Sequence, residues 1–398
     1  MCDKSDILQL FEQKPLVTVC APMVRYSKLQ FRTLLRQYNC DLCYTPMIMA
    51  DSFCRSGKAR DNEFTTNLHD APVIVQFAAN TVHDFVGAAH MVSPYCSGVD
   101  LNCGCPQTWA KQLGIGCSML NRPDLISDLV RQCRNQILKP FTVSVKLRVL
   151  KDVRKTIETC RQLEKAGISF LAVHARTPSQ HLGSIDTDTL KLIVENVNCP
   201  VIGNGGVKKF DDCLNLQKET KCKGVMVANG LLTNPTLFTG TEATPLECVQ
   251  KWLDICFNST LQDNHCNHQT IPERPPNLTF QCFHHHLVFM LEKLLTKSKR
   301  RIFNSLQHFE DVLSFLREHL NLRPTVYDSN MFKQQKILNL DYCNRDKLYN
   351  KLKELYNSDI EIELTNLKYN YDDTNGKFFK NKLIDDNSVD LGLEKVFI

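Results

Sequence analysis

TVSVKL (Thr142–Leu147), VRKTIETCRQLEKA (Val153–Ala166) and FLAVH (Phe170–His174) follow one another closely along the chain. The first and third segments are short and rich in Val and Leu, as strands covered on both faces are. In the middle segment apolar residues recur at spacings of three and four, which on a helix form one stripe. Strand, amphipathic helix and strand make the unit of a parallel sheet, because parallel neighbours need a crossover. The unit repeats in both directions. Short apolar runs occur at Leu16–Cys20, Asp41–Thr45, Pro72–Phe77, Gly98–Leu101, Thr142–Leu147, Phe170–His174, Pro200–Gly203 and Gly224–Ala228, and Pro123–Ile137 has the helical spacing. Eight such units over about 230 residues predict an α/β fold, the (β/α)8 TIM barrel.

The barrel is expected to span residues 16–240, after an N-terminal segment 1–15. From Pro245 to His319 no strand candidate occurs, so residues 241–320 are read as a second, helical domain, with His265–Pro276 as a polar, proline-rich loop. Residues 321–398 mix Asn with charges of both signs and scattered Tyr and Leu, the composition of a loosely ordered or partly helical appendage.

The 398 residues are 43% hydrophobic and 23% charged, which excludes disordered and collagen-like chains. A balance of 48 basic against 43 acidic residues gives +5, which permits a polyanionic partner without requiring one. Nineteen Cys, and charges where an apolar signal core would lie, point to free thiols in a reducing compartment, the cytoplasm, with the nucleus as the alternative. No apolar run of about 18 residues occurs, so no membrane span is expected. No metal is expected either. Cys40 and Cys43 lack a second matching pair and read as structural, and His265, Cys266, His268 and His284–His286 invite a metal reading that is the less favoured one.

In a TIM barrel the reacting groups sit at the C-terminal ends of the strands. Here those ends carry Pro22 and Met23, Gln76, Asn102 and Cys105, Lys146 and Arg148, His174 and Arg176, then Asn204, Gly205 and Gly206, and Asn229 with Gly230. Each polar group left unpaired there would cost about 1 to 3 kcal/mol, so a polar ligand in the barrel mouth is implied. Glycines after the seventh and eighth strands let backbone N–H groups approach a phosphate. A Lys placed to stabilise an anionic reduced ring, and Gln76 with both a donor and an acceptor, fit flavin mononucleotide (FMN).

These residues also carry a resemblance. Asp100-Leu-Asn-Cys-Gly-Cys-Pro106, with Ala21-Pro-Met23, His174-Ala-Arg176-Thr-Pro, Gly203-Asn-Gly-Gly206 and Asn229-Gly-Leu-Leu-Thr-Asn-Pro235, resembles the tRNA-dihydrouridine synthases in order and spacing. The resemblance covers about Pro15 to Leu320 and is nearest to the eukaryotic subgroup acting in the tRNA D-loop. It implies FMN on Pro22, Met23, Val24, Gln76, Lys146, His174, Asn204, Gly205, Gly206, Ala228 and Asn229, with Cys105 as proton donor. It implies that NADPH reduces FMN, that a hydride passes to C6 of a uridine, and that an acid protonates C5. Asn102, Lys111 and Arg176 are then expected near the RNA. Asn229 stands where the family usually has Arg, and Cys117 where it usually has a small residue. Stacked bases shield C5 and C6, so the uridine must be turned out of the RNA.

Lys297, Lys299, Arg300 and Arg301 form the densest basic cluster, on a helix expected to be otherwise apolar-striped. By itself the cluster reads equally well as a solvated helix face or as a phosphate-binding surface. The resemblance places it, and the polar aromatic stretch Phe283–Leu291 with its three histidines, in an RNA-binding domain, where such side chains can meet RNA. The chain is expected to be a monomer with tRNA as partner. Two other functions fit parts of the sequence. An FMN oxidoreductase of a small molecule, of the dihydroorotate-oxidase kind, would need no helical domain, and a catalytically weak tRNA-binding protein would carry no bound FMN.

Overall fold

The computed structural model describes residues 7–67, 69–137, 140–180, 182–263 and 278–325, the side chains of 258–263 excepted. The loop expected at His265–Pro276 and the appendage beyond residue 325 lie outside the described residues. Eight parallel strands follow the eight apolar runs: β1 (Val17–Cys20), β2 (Leu42–Tyr44), β3 (Val73–Ala78), β4 (Gly98–Cys103), β5 (Thr142–Arg148), β6 (Phe170–His174), β7 (Val201–Asn204) and β8 (Gly224–Val227). Each pairs with its neighbours in order, and Val17 opposite Gly224 joins β1 to β8, which closes the barrel. A two-residue strand at Ile48–Met49, outside the eight expected runs, adds to the end of β3.

Closure turns the pleat into layers. Gln76 lies opposite Asp100 and Asp100 opposite Ser144; one layer up, Asn102 lies opposite Lys146; at the rim Arg148, His174, Asn204 and Met226 stand in one row. Residues opposite each other share a face, so the polar residues form a column through the upper half of the barrel. The other face of β4 carries Cys103, which is fully buried against the surrounding helices. At the opposite end the helix Ile7–Gln13 buries Ile7 and Phe11, and the Phe11 ring packs 5.4 Å from Phe170 at the start of β6. Ile7 and Phe11 of the expected N-terminal segment thus belong to the core.

The described helices after the barrel are Leu246–Asp263, Phe280–Met290, Lys297–Asn304 and Phe309–Leu320. They pack on the barrel within one compact unit, so the boundary at 240/241 separates fold types. The joint is aromatic: His286 stacks on Phe31 at 4.3 Å and lies 4.6 Å from Trp252, and its Nε2–H donates to the Tyr26 carbonyl at 3.1 Å. Two expectations need correcting here. His284 and His286 are buried at 4% and 0% exposure, His286 in this joint and His284 against Phe280 and Phe303 within the bundle, so neither is presented to RNA. The helix Phe280–Met290 is wedged between barrel and bundle and is covered almost all round. The helix Lys297–Asn304 is not apolar-striped, since Phe303 is its one buried residue.

The sixteen cysteines among the described residues are free thiols. Cys40 and Cys43 lie buried with their sulfurs 3.7 Å apart. Among the described residues no group of three His, Cys, Asp or Glu is placed to hold a metal, and no helix is long and apolar enough to cross a membrane.

Candidate active site

The segment after β4 is fixed at three points. Asn102 Oδ1 accepts from the N–H groups of Gly104 (3.2 Å) and Cys105 (2.9 Å), a local turn that a short amide side chain makes readily. Arg148 Nε donates to the Gly104 carbonyl at 2.9 Å, and its Nη1 reaches the carbonyls of Thr177 and Gln180, both at 3.2 Å. The Cys105 carbonyl accepts from Cys117 N at 2.9 Å. That approach needs Gly116, where φ is +65° and an added Cβ would lie 2.5 Å from the Cys105 carbonyl oxygen. Replacing Gly116 with Ala is therefore expected to destabilise the fold by about 1 to 3 kcal/mol, from backbone strain plus the displaced carbonyl. Urea unfolding of variant and wild type measures it; equal midpoints would show that the segment adapts freely.

The Cys105 thiol is partly buried, and burial pushes its pKa up, with the Gln107 backbone and then Arg148 and Lys146 only partly offsetting this. It is held as a thiol, able to give a proton but not to act as a ready thiolate. His174 cannot donate a proton in its place, because burial beside Lys146, Arg148 and Arg176 pushes it down to about 2 and leaves it neutral. Burial and the neighbouring Arg148 bring Lys146 down to about 8, while Asp100 and Cys105 pull the other way. Its Nζ donates to Asn204 Oδ1 at 3.2 Å, and Asn204 Nδ2 is tied to the Met226 carbonyl at 2.8 Å. Beneath these groups Gln76 is fully buried, donating to Asp100 at 2.8 Å and accepting from Asn102 at 2.9 Å.

The remaining expected ligand-binding residues surround this column. Pro22, Met23 and Val24 form the turn after β1, with Val24 54% exposed. Gly205 (φ +126°) and Gly206 (φ +74°) turn the chain after β7 through conformations that favour glycine. Ala228 and Asn229 open the short helix after β8, with Ala228 half-buried and Asn229 exposed.

Two of the three expected RNA contacts at the barrel mouth, Asn102 and Arg176, are employed within the protein. Asn102 is 7% exposed and holds the Cys105 segment, which leaves one of its N–H groups uncommitted. Arg176 donates twice to the Gly183 carbonyl and lies 3.4 Å from His174 Nε2, so its guanidinium is partly used within its own loop. Lys111 is exposed on the helix Thr108–Gln112, beside Trp109 at 42% exposure. Lys297 and Arg301 are exposed, Lys299 and Arg300 partly so, and among the described residues none of the four pairs with a carboxylate. Arg148, Asp100 and Trp109 acquire roles or places here that their sequence context does not assign. The first two share strands with Lys146 and Asn102 at a spacing of two, the signal that could have found them; Trp109 had only its place four residues after Cys105.

A closed parallel barrel with a protonated thiol, a cation and convergent amides at the C-terminal ends of its strands defines a TIM-barrel enzyme. The sequence model of the dihydrouridine synthase (Dus) family matches residues 19–341, and the chain belongs to that family. It is 46% identical over 317 residues to a mouse protein named tRNA-dihydrouridine(20a/20b) synthase, NAD(P)+-like, covering 79% of this chain and 93% of the relative. The human protein of that name is 44% identical, covering 80% and 96%. A fission yeast (Schizosaccharomyces pombe) tRNA-dihydrouridine(20a/20b) synthase is 38% identical, covering 81% and 93%.

Proposed function

We propose that this chain is an NADPH-using, FMN-dependent tRNA-dihydrouridine synthase that reduces the C5–C6 double bond of D-loop uridines at positions 20a and 20b. The observation that carries the reading is the Cys105 thiol, held protonated on a segment anchored at Asn102, Arg148 and Cys117, above a column containing Gln76 and Lys146. The donor set fits FMN. Gln76 keeps one N–H and one lone pair uncommitted, Lys146 supplies a cation, and Asp100, the carboxylate in this column, is already engaged by Ser144 and Gln76. Met23, Gln76, Lys146 and His174 would hold the ring and its chain, and the backbone at Asn204–Gly206 and Ala228–Asn229 the phosphate. Bound there, FMN would supply the hydride drawn from NADPH. The protein's own part is to orient the uracil, exclude water and deliver a proton from Cys105 Sγ to C5. Asn229, at the start of the short helix after β8, suits a backbone contact to phosphate in place of the arginine usual in the family.

The barrel 16–240 would carry out the redox step and the helices of 241–320 would grip tRNA. The family match spans both parts, which disfavours a small-molecule oxidoreductase. We place the enzyme in the cytoplasm as a monomer. Two measurements test the reading together. Flavin released from purified protein should be FMN, about one per chain, and mass spectrometry of tRNA from cells lacking the gene should show uridine at 20a and 20b. Dihydrouridine persisting at both positions would overturn it.

Neutralising Lys297, Lys299, Arg300 and Arg301 together should weaken tRNA binding. It should also make the slope of log affinity against log salt shallower by about 0.7 to 0.9 for each phosphate no longer neutralised. NADPH oxidation should not change. An unchanged slope would move the RNA-binding surface to the rim around Lys111 and Arg176.

A further inference from the structure

The hydrogen bonds beneath the barrel mouth run in one direction. The N–H groups of Gly104 and Cys105 both point at one end of the Asn102 amide, so that end must be the oxygen and the other the NH2. Asn102 Nδ2 therefore donates to Gln76 across 2.9 Å, and Gln76 must receive it with Oε1. This turns Gln76 Nε2 toward Asp100, to whose Oδ2 it donates at 2.8 Å. The other carboxylate oxygen accepts from Ser144 Oγ at 2.7 Å. A chain of donors meeting from two sides needs an acceptor on each side, and a carboxylate supplies both from one residue.

We propose that Asp100 is a positioning residue: by accepting from both sides it fixes which end of the Gln76 amide faces Asn102, and through Asn102 it holds the backbone N–H of Cys105. Gln76 on β3, Asp100 on β4 and Ser144 on β5 lie in one register row, so neighbouring strands deliver both donors to the carboxylate. Asp100 is fully buried, and burial pushes its carboxyl up to about 6, partly offset by the Ser144 and Gln76 hydrogen bonds and by Lys146. A flipped Gln76 would present a donor where its free lone pair now lies. It would also put two NH2 groups face to face at Asn102, releasing the turn that carries Cys105. That the positioned groups serve dihydrouridine formation rests on the function proposed above.

Asp100→Asn keeps an acceptor for Gln76, because the Ser144 hydroxyl can reverse and accept from the new amide, whereas Asp100→Leu keeps none. Two readouts are taken on the flavin-loaded full chain: the rate of flavin release on dilution, followed by fluorescence, and dihydrouridine formed in a single turnover. Asp100→Asn is expected within about threefold of wild type in both. Asp100→Leu should release flavin about tenfold faster or more and form product about tenfold slower or more, the size of one unsatisfied buried amide. In a Gln76→Leu background Asp100→Leu should add almost nothing, because both variants cut the same chain. If Asp100→Leu is not recovered folded, Ser144→Ala makes the same comparison, with a loss of about threefold that disappears beside Gln76→Leu.

The proposal is overturned if the losses add in the double variant, if Asp100→Leu or its Ser144→Ala substitute matches wild type, or if Asp100→Asn falls as far as Asp100→Leu. A wild-type protein that forms no dihydrouridine would instead overturn the proposed function, while the release rates would still read the role of Asp100.

Discussion

In a Cys105→Ala variant, NADPH oxidation with an artificial electron acceptor stays within about twofold of wild type, while dihydrouridine formation falls by about 10² to 10⁴, the range for loss of a general acid. The two halves separate because the side chain is needed only for the proton. Its backbone carries the contacts that shape the segment: the N–H to Asn102 and the carbonyl to Cys117 survive the substitution. His174 is held unprotonated, which leaves the Lys146 ammonium, engaged with Asn204, as the remaining candidate acid among these neighbours. Stopped-flow NADPH oxidation and mass spectrometry of the tRNA product give the two rates. Equal losses in both would make Cys105 structural; no loss in either would leave Lys146 as the acid.

Lys146→Ala is expected to weaken flavin binding about 10- to 100-fold, the worth of a charge-assisted hydrogen bond in a water-poor site. The variant should also slow NADPH oxidation. The same cation gives a pH signature. The Lys146 pKa is lowered to about 8, so its charge is complete near pH 6 and is lost as pH rises through 8. Flavin association with the wild type should therefore weaken between pH 7 and pH 9. Lys146→Arg, charged throughout, should stay flat over that interval, and Lys146→Ala should be flat and weak. Titrations at the two pH values, followed by flavin fluorescence, check this. A variant with unaltered absorption spectrum, flavin affinity and NADPH oxidation would remove Lys146 from the site.

Asn102 illustrates how legible the site was in the sequence. Its position after a barrel strand marked it as functional, and its spacing to Cys105 was fixed by the covalent chain. Its use was not legible, because the contact to Gln76 lies 26 residues away and depends on the register of β3 against β4. Arg148 was visible as a strand-end arginine, yet its clamp on Gly104, Thr177 and Gln180 joins three segments that meet only when the barrel closes. The helix Phe280–Met290 misled in the opposite sense. Three consecutive histidines look solvent-facing in a sequence, but His284 and His286 each find a backbone carbonyl and aromatic neighbours in the interior.

By itself the sequence determined the eight strands, the helices between them and which thiol stands at the barrel mouth. The period of the apolar residues and the turn chemistry around Cys105 are local, and they act whatever the rest of the chain does. Only the tertiary structure decided which polar groups are paired and which are left for a ligand. Closure of the barrel sets the register that brings Gln76, Asp100 and Ser144 into one row, and removal from water forces each amide and carboxyl there into a single orientation.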